Sequence, residues 1–196
     1  MNTDHGQFAP VFALGSVVKL DTPTTRNRRL IIAEIRRYSA GPRCPKVDYV
    51  LVGDPGASPQ FRLRLMPSQS AKSKLTHRAL VLALYDSIPY TAGLHAVVRD
   101  ASKKFVIDDD SEPERHVHDE FWGVNDVGGS NVSGVTVRSG DGRQKEATVE
   151  FWDYSRLTDV EGVETEEVIF VEMNPVDGAF EIWRGVEVAP GRIAVE

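Results

Sequence analysis

The sequence predicts a mainly β (α+β) fold, with antiparallel sheets in a barrel-like or sandwich arrangement and one or two short helices. Valine, isoleucine and aromatic residues cluster in short runs that Gly, Pro, Asn and Asp separate, which is typical of strands joined by turns. Of the 196 residues, 41 % are hydrophobic and 27 % are charged. A chain of this size and composition can form a core without disulfides or metals.

The first strands are predicted at residues 16–20, 29–38, 47–53 and 60–66. Asp54-Pro55-Gly56 is a turn sequence, and it predicts that the last two of these strands form a hairpin.

The fourth predicted strand alternates apolar and basic residues. Phe61, Leu63 and Leu65 occupy one set of positions, and Arg62 and Arg64 occupy the other. We expect the apolar residues to be buried and both arginines to lie in solvent, as in an antiparallel strand with one exposed face.

The centre of the chain is predicted to contain a strand and then a helix. Residues 79–86 carry leucines at alternate positions, which favours a strand, although Leu75, Ala79 and Leu82 also fit a helical spacing. Residues 91–102 follow Pro89 and carry apolar residues at 94, 97, 98 and 101. This i, i+3, i+4, i+7 pattern predicts a short amphipathic helix.

Strands are predicted again in the second half, at residues 104–107, 121–124, 132–138, 146–154, 167–173, 179–184 and 192–195. Gly140-Asp141-Gly142 and Asp177-Gly178 predict hairpin turns. In the strand at 146–154, Phe151 lies on one face, while Trp152 and Tyr154 lie on the other. We therefore expect this strand to be covered on both faces.

Charge is distributed unevenly along the chain. The net charge is −6, yet residues 1–105 carry +9 and residues 106–196 carry −15. We expect residues 1–10 to form a disordered tail and residues 11–196 to form a single β-rich domain. The alternative is two packed halves, a basic one at 11–90 and an acidic one at 91–196.

The sequence favours a cytoplasmic protein. Cys44 has no second cysteine for an intramolecular disulfide, and the first residues lack the basic and apolar regions of a signal peptide. The longest apolar run, residues 79–85, is far shorter than the roughly 20 residues of a membrane-spanning helix. No transmembrane segment and no cofactor are predicted, and peripheral membrane association stays open.

Several strand motifs occur in a characteristic order: Leu14-Gly15-Ser16-Val17-Val18-Lys19-Leu20-Asp21, Tyr49-Val50-Leu51-Val52, Phe151-Trp152-Asp153-Tyr154-Ser155-Arg156, Glu167-Val168-Ile169-Phe170-Val171-Glu172 and Phe180-Glu181-Ile182-Trp183-Arg184-Gly185-Val186-Glu187-Val188. In this order they resemble the bacterial domains of unknown function 4178 and 2491. The resemblance implies a cytoplasmic bacterial protein without an established activity, often encoded beside phage-shock-type membrane-stress proteins. It implies no catalytic residue.

His116-Val117-His118 is the candidate metal site. Residues i and i+2 of a strand project from one face about 7 Å apart, so His116 and His118 could bind one ion together with Asp119. A metal-binding protein or hydrolase centred on these histidines is therefore one hypothesis. The competing interpretation is a solvated acidic loop, because residues 108–114 are mostly acidic and include Pro113.

Two groups of residues are candidates for partner binding. A basic cluster in the first half consists of Arg28, Arg29, Arg36 and Arg37. Trp152 and Trp183 alternate with charged neighbours, and we expect them to reach a surface groove or a partner interface.

The leading hypothesis is a non-catalytic protein-interaction or accessory module, because no convergent catalytic set is visible. The basic and acidic halves would complement each other within the monomer, or drive head-to-tail or heteromeric association. The alternatives are the metal-binding protein or hydrolase, and nucleic-acid binding through the basic half. The acidic second half disfavours the latter, because it would repel phosphate or neutralise the basic surface.

Overall fold

The computed structural model describes residues 11–22, 24–26, 28–38, 46–54, 60–67, 77–99, 120–122, 131–160, 162–174 and 178–196. Within these ranges the elements are β1 (Val17–Leu20), β2 (Arg29–Tyr38), β3 (Lys46–Val52), β4 (Phe61–Pro67), β5 (His77–Ile88), α1 (Ala92–Arg99), β6 (Glu120–Trp122), β7 (Asn131–Ser139), β8 (Gln144–Val160), β9 (Val163–Met173), β10 (Phe180–Val188) and β11 (Ile193–Val195).

Eight of these strands close into an antiparallel barrel, in the order β2-β3-β4-β5-β10-β9-β8-β7, with β7 paired to β2. Two four-stranded meanders, β2 to β5 and β7 to β10, supply the wall. They meet at the β5–β10 and β2–β7 pairs. Strands β1 and β11 extend the sheet beyond β2, and β6 pairs with β8. The predicted mainly β, barrel-like class is therefore confirmed.

Most predicted elements are present, with shifted ends. The segment at 79–86 is a strand and not a helix, since it lies within β5. The predicted helix is present as α1, and residues 100–102 of its predicted span lie outside the described residues. Strands β8 and β10 extend further than expected. The strand predicted at 104–107 lies outside the described residues. None of the described helical residues form a segment of the length and hydropathy that crossing a membrane requires.

Strand β2 changes partner part-way along its length. Its first residues, up to Ile31, pair with β1, and its residues from Glu34 onward pair with β7. The register against β3 shifts between Ile32 and Glu34. Such a bulge bends a strand and increases its twist. The bend lies where β2 leaves β1 and joins the closed barrel.

The barrel interior contains one apolar cluster, whose larger members come from both meanders: Tyr38, Met66, Leu80, Leu82, Phe151, Phe170 and Trp183. Phe151 belongs to this cluster, whereas Trp152 and Tyr154 belong to a different one. The prediction that β8 is covered on both faces is therefore confirmed.

Described residues cover the outer surface of the wall in two places. Helix α1 packs Leu94 and Val98 into a cluster with Trp152, Phe180 and other residues of β8 to β10. On the other side, β1 and the start of β2 contribute to a second cluster with outward residues of β3, β4 and β5. Phe61, Leu63 and Leu65 belong to this second cluster, so their predicted burial is confirmed.

Gly185 permits the close contact between β10 and β5. A Cβ atom at this position would lie 1.8 Å from the carbonyl oxygen of Val81 and 2.7 Å from its carbonyl carbon. Both obstructing atoms are backbone atoms of the paired strand, so neither can move without disturbing the β5–β10 pairing.

Gly185→Ala should therefore destabilise the barrel. The clash resembles overpacking of a core, which costs about 1–3 kcal/mol, and the backbone position of the obstruction places this case at the upper end. Urea unfolding followed by tryptophan fluorescence measures the effect.

Gly93→Ala is the matched control, because a Cβ atom there meets nothing within 4 Å. Alanine is the better helix former by up to about 1 kcal/mol, so this variant should be as stable as the wild type or more stable. Equal stability of Gly185→Ala and the wild type would contradict the predicted clash.

Candidate functional site

The barrel interior contains ionisable side chains that are almost completely buried. Three are cations and three are carboxylates: Lys46, Arg62, Arg64, Asp48, Asp153 and Glu172. We call these six residues the interior charge network. They come from β3, β4, β8 and β9, so both meanders contribute.

The ion pairs of the network cross the barrel. Arg64 of β4 lies 3.3 Å from Asp153 of β8, and these strands are opposite one another in the barrel order. Arg62 contacts Glu172 of β9 at 3.3 Å, again across strands that are not neighbours. Such contacts are possible only through the interior.

Arg64 and Asp48 form the strongest pair of the network. The Nε and Nη2 atoms of Arg64 each donate to one carboxylate oxygen of Asp48, both at 2.7 Å. The guanidinium lies 3.7 Å from the ring centroid of Phe170. A bidentate pair of this kind fixes the orientation of both groups as well as their distance.

The guanidinium of Arg62 makes hydrogen bonds through fewer of its nitrogen atoms than that of Arg64. Its Nη2 atom donates to Glu172 and, at 2.6 Å, to Glu181 at the edge of the network. Its guanidinium lies 4.0 Å from the ring of Trp183, and its Nη1 atom lies 3.6 Å from Asp48. The Nε and Nη1 atoms have no hydrogen-bond partner among the described residues, so Coulombic and ring contacts stabilise this side of the group.

Lys46 is surrounded by aromatic rings. Its ammonium lies 3.5 Å from the ring centroid of Phe151, 4.7 Å from that of Phe170 and 4.8 Å from that of Tyr38. Its carboxylate partner is Asp153 at 3.8 Å. Ring faces attract a desolvated cation, which explains how Lys46 is accommodated with only 2 % of its surface exposed.

Glu172 joins the network to β2. Tyr38 donates its hydroxyl to one carboxylate oxygen at 2.6 Å, and Arg36 donates Nη1 to the other at 2.7 Å. Arg36 also pairs with Glu34. Because Arg36 is only partly buried, it marks the boundary between the network and the surface.

The pairing determines the protonation states. Burial alone would raise the pKa of Asp48, but Arg64, with help from Arg62 and Lys46, lowers it to about 2. Burial also opposes ionisation of Glu172, yet Arg62 and Arg36 bring the pKa of that carboxyl below its usual value. Burial raises the pKa of Tyr38 well above its usual value. Both carboxyls are therefore ionised at neutral pH, while Tyr38 remains a donor.

The uneven charge of the sequence is partly compensated within the chain. Among the described residues, cations of the first half pair with carboxylates of the second half. These pairs include Lys19–Glu196, Arg29–Glu196, Arg36–Glu172, Lys46–Asp153, Arg62–Glu172, Arg62–Glu181, Arg64–Asp153, Arg78–Glu187 and Arg99–Glu150. The charge pattern predicts either that the two halves complement each other within one monomer or that they drive association between molecules. These pairs are of the first kind.

The expectation that Arg62 and Arg64 lie in solvent is wrong, because both are 0 % exposed. In an open sheet, the face opposite Phe61, Leu63 and Leu65 would be solvated. Closure of the barrel encloses that face, and carboxylates from the opposite wall replace the water.

The expectation that Trp152 and Trp183 reach the surface is also wrong. Each is 1 % exposed. Trp183 packs in the barrel interior under Arg62, and Trp152 lies beneath α1. Of their charged neighbours, Asp153 is buried in the interior charge network and Glu181 pairs with Arg62. Arg184 pairs with Glu167, and Glu150 lies beside His95 of α1.

The predicted basic cluster is divided between different environments. Arg28 and Arg37 are exposed, and Arg29 is exposed but pairs with Glu196 at 3.0 Å. Arg36 points to the opposite side of β2 and belongs to the network edge. The structure therefore does not bring these four arginines together on one surface.

The histidine hypothesis falls on residues that the structure does not describe. His116, His118 and Asp119 lie outside the described residues, and so does Cys44. Within the described ranges, no three His, Cys, Asp or Glu side chains converge as metal ligands do. The metal site at these positions stays a prediction.

His95 connects α1 to the barrel wall. Its Nε2 atom lies 3.2 Å from a carboxylate oxygen of Glu150, and its Nδ1 atom lies 3.2 Å from the hydroxyl of Tyr90. The imidazole also packs edge-on against Trp152. Among the described residues, the structure brings one carboxylate, that of Glu150, to this imidazole.

A groove of about 460 Å³ lies on the outer surface where β2, β7 and β8 meet the segment before β1. Its lining is apolar at Val11, Phe12, Leu14 and Ile35, and polar at Arg37, Thr136, Arg138 and Gln144. We call it the basic groove.

Neither Arg37 nor Arg138 has an ion-pair partner among the described residues, and both are exposed. Arg37 is opposite Thr136 and Arg138 is opposite Ile35, so the two arginines are diagonal neighbours across the β2–β7 pair. Diagonal positions lie about 7–8 Å apart, close enough for two long side chains to bind one anionic group. The sequence pattern identified Arg37 but missed Arg138, because only the β2–β7 pairing brings them together.

The sequence matches no family model, no curated protein and no solved structure. The resemblance to the domains of unknown function 4178 and 2491 therefore stays a prediction.

Asp48→Asn should strongly destabilise the protein, because it leaves Arg64 and Arg62 buried without their shared carboxylate. Removal of one partner from a buried ion pair costs about 3–5 kcal/mol. The folded pKa of Asp48 is lower than its unfolded pKa, so ionised Asp48 contributes stability above about pH 4. That contribution is lost as the pH falls towards 2, and the variant should lack this part of the acid dependence.

Urea unfolding at a series of pH values measures both effects. Asp141→Asn is the control, because its ion pair with Arg143 is exposed on both sides and such pairs contribute about 0–1 kcal/mol. Similar losses of stability in the two variants at neutral pH would contradict a stabilising pairing of Asp48 with Arg64 and Arg62.

Proposed function

We propose that this protein is a non-catalytic protein-interaction module that binds an acidic segment of a partner in the basic groove. The strongest support for this proposal is the contrast between two pairs of arginines in the chain. Arg62 and Arg64 are buried against carboxylates, whereas Arg37 and Arg138 are exposed beside an apolar surface without an ion-pair partner among the described residues.

The chemistry of the groove fits a segment that contains both carboxylates and apolar side chains. Its volume is within the roughly 300–1,000 Å³ of typical ligand sites. Arginine binds carboxylates in a planar, two-donor geometry. The apolar lining would contact the side chains between the carboxylates, and Thr136 and Gln144 offer further hydrogen bonds.

Nucleic-acid binding is less well supported. The basic residues of the first half that would contact phosphates are partly engaged elsewhere, since Lys46, Arg62, Arg64 and Arg36 all pair with carboxylates. Strong binding to a phosphate backbone requires many exposed cations acting together. The metal-binding alternative rests on His116 and His118 and is unchanged.

A labelled peptide tests the proposed function directly. The probe is a fluorescein-labelled 12-residue peptide that alternates Glu with Val, and the readout is fluorescence anisotropy at low salt. We expect binding by the wild type that weakens as salt rises, because exposed charges are screened. Arg37→Glu/Arg138→Glu should reduce the affinity at least tenfold.

Arg28→Glu/Arg29→Glu is the matched control. It changes the net charge by the same amount at exposed positions outside the groove, so its affinity should stay within about threefold of the wild type. Equal losses in both variants would mean that binding follows net charge and not the groove, and that result would refute the proposal. Tighter binding of a single-stranded DNA of equal length would favour the nucleic-acid alternative.

A further inference from the structure

Tyr90, His95 and Glu150 form a hydrogen-bonded chain between α1 and the outer face of the barrel wall. The hydroxyl of Tyr90 lies 3.2 Å from Nδ1 of His95, and Nε2 of His95 lies 3.2 Å from Oε2 of Glu150. Tyr90 belongs to the connection between β5 and α1, His95 belongs to α1, and Glu150 belongs to β8. We call these three residues the tyrosine triad.

The cap of α1 sets the spacing between Tyr90 and His95. The side-chain oxygen of Thr91 accepts the N–H of Leu94 at 3.1 Å, and the carbonyl oxygen of Thr91 accepts the N–H of His95 at 3.0 Å. Thr91 is therefore the N-cap of the helix. These bonds fix where the helix begins, and they hold His95 one turn after the cap, within reach of Tyr90.

Aromatic packing fixes the orientation of the two rings. The ring of Tyr90 stacks on that of Phe180, with centroids 5.8 Å apart and planes inclined by 16°. The imidazole of His95 packs edge-on against Trp152, with centroids 6.0 Å apart. Phe180 and Trp152 are both buried, so packing supports the geometry that the hydrogen bonds define.

The contacts also determine the tautomer of His95. In a neutral imidazole one nitrogen donates and the other accepts. The carboxylate of Glu150 only accepts, so Nε2 carries the hydrogen and donates to it. Nδ1 then accepts the O–H of Tyr90. The free electron pair of Nδ1 is therefore in position to take the proton of this phenol.

The members of the triad differ in exposure. Tyr90 is 49 % exposed, whereas the side chains of His95 and Glu150 are 19 % and 16 % exposed. A reagent can reach the phenol, while the base and the carboxylate lie behind it. A hydroxyl, a base within hydrogen-bond reach and a third group that orients the base together make the arrangement that activates a nucleophile.

The surroundings of the Tyr90 hydroxyl favour an uncharged electrophile. The rings of Phe180 and His95 lie against the phenol, and the carboxylate of Glu150 lies behind them. Phosphoryl groups are commonly clamped by cations. Among the described residues, the cation beside the triad is Arg99, whose Nε lies 3.8 Å from Glu150. It is at the opposite end of α1 from Tyr90, so an ester carbonyl suits the site better than a phosphoryl group.

We propose that Tyr90 is a covalent modification site that accepts an acyl group from an activated ester, with His95 as the base and Glu150 as the residue that positions His95. The phenol oxygen forms a bond to the carbonyl carbon, and its proton moves to Nδ1, while Nε2–H stays on Glu150. The adduct then breaks its bond to the leaving alcohol, which takes the proton from Nδ1. The products are acylated Tyr90 and the free alcohol, so no other reactant is required.

This modification is independent of the proposed binding function. It is stoichiometric, because it adds one acyl group at one tyrosine and requires no turnover. On β8, Glu150 lies six residues after Gln144 of the basic groove, which is about 20 Å along the strand. Acylation of Tyr90 therefore leaves Arg37 and Arg138 unchanged.

Tyr85 is the matched internal control. It is 42 % exposed, and its hydroxyl has no hydrogen-bond partner in the described part of the chain. The probe is p-nitrophenyl acetate at neutral pH. Proteolysis before Asp86 places the two tyrosines in different peptides, and mass spectrometry follows the acetylation of each. We expect Tyr90 to be acetylated at least tenfold faster than Tyr85.

Two substitutions separate the base from its positioning residue. His95→Gln removes the base, and Glu150→Met removes the carboxylate while keeping a similar side-chain length. Each should lower the acetylation rate of Tyr90 to that of Tyr85. Glu146→Met is the control, because it removes an exposed carboxylate from the same strand outside the triad. It should react as the wild type does.

Nitrogen-15 NMR of the imidazole tests the positioning role of Glu150. In the wild type, His95 should carry its hydrogen on Nε2. In Glu150→Met this preference should be lost, and both tautomers should be populated. A purely structural role of Glu150 would leave the tautomer unchanged.

Equal acetylation rates of Tyr90 and Tyr85 in the wild type would overturn the inference. This comparison needs no variant, so it holds even where a substitution disturbs the packing of α1. A fast Tyr90 that neither His95→Gln nor Glu150→Met slows would also overturn it, because the rate would then not depend on the triad.

Discussion

The interior charge network is the constraint on which the rest of the structure depends. A cation enclosed in a barrel needs a carboxylate that is enclosed with it, because a buried, unpaired charge costs several kcal/mol. Arg64 and Arg62 therefore require Asp48 beside them and Asp153 and Glu172 across from them. These contacts join the first meander to the second, and they do so at defined positions along each strand.

This requirement also specifies register. A shift of β9 by one residue against β10 would replace Glu172 in the interior by an apolar neighbour and move the carboxylate to the outer face. Apolar packing alone would tolerate such a shift better, because both faces of β8 and β9 are apolar over much of their length. We infer that the main effect of the network is to select one closed arrangement of the strands, and that its contribution to the free energy of folding is smaller. Fixing a register is the best-attested role of buried ionic groups in proteins.

Much of the fold could be predicted from the sequence, because strand periodicity and turn residues are local signals. The alternation in Phe61–Pro67 predicts its apolar face correctly and its basic face wrongly. Periodicity indicates which residues share a face of a strand. It does not indicate whether that face contacts water or the opposite wall of the barrel. A usable signal is present in the sequence: Asp48, Asp153 and Glu172 each stand between two apolar or aromatic residues. The basic groove was less accessible to such reasoning, because Arg37 and Arg138 are about one hundred residues apart and only the barrel closure joins them.

The chain places Arg62 and Arg64 in a paired interior and Arg37 and Arg138 in a groove where they have no ion-pair partner among the described residues. Modification of the native protein with an arginine-specific reagent such as phenylglyoxal, followed by mass spectrometry of the peptides, tests it most directly. We predict rapid modification of Arg37 and Arg138 and protection of Arg62 and Arg64 until the protein unfolds. Modification of all four at similar rates under native conditions would contradict the account.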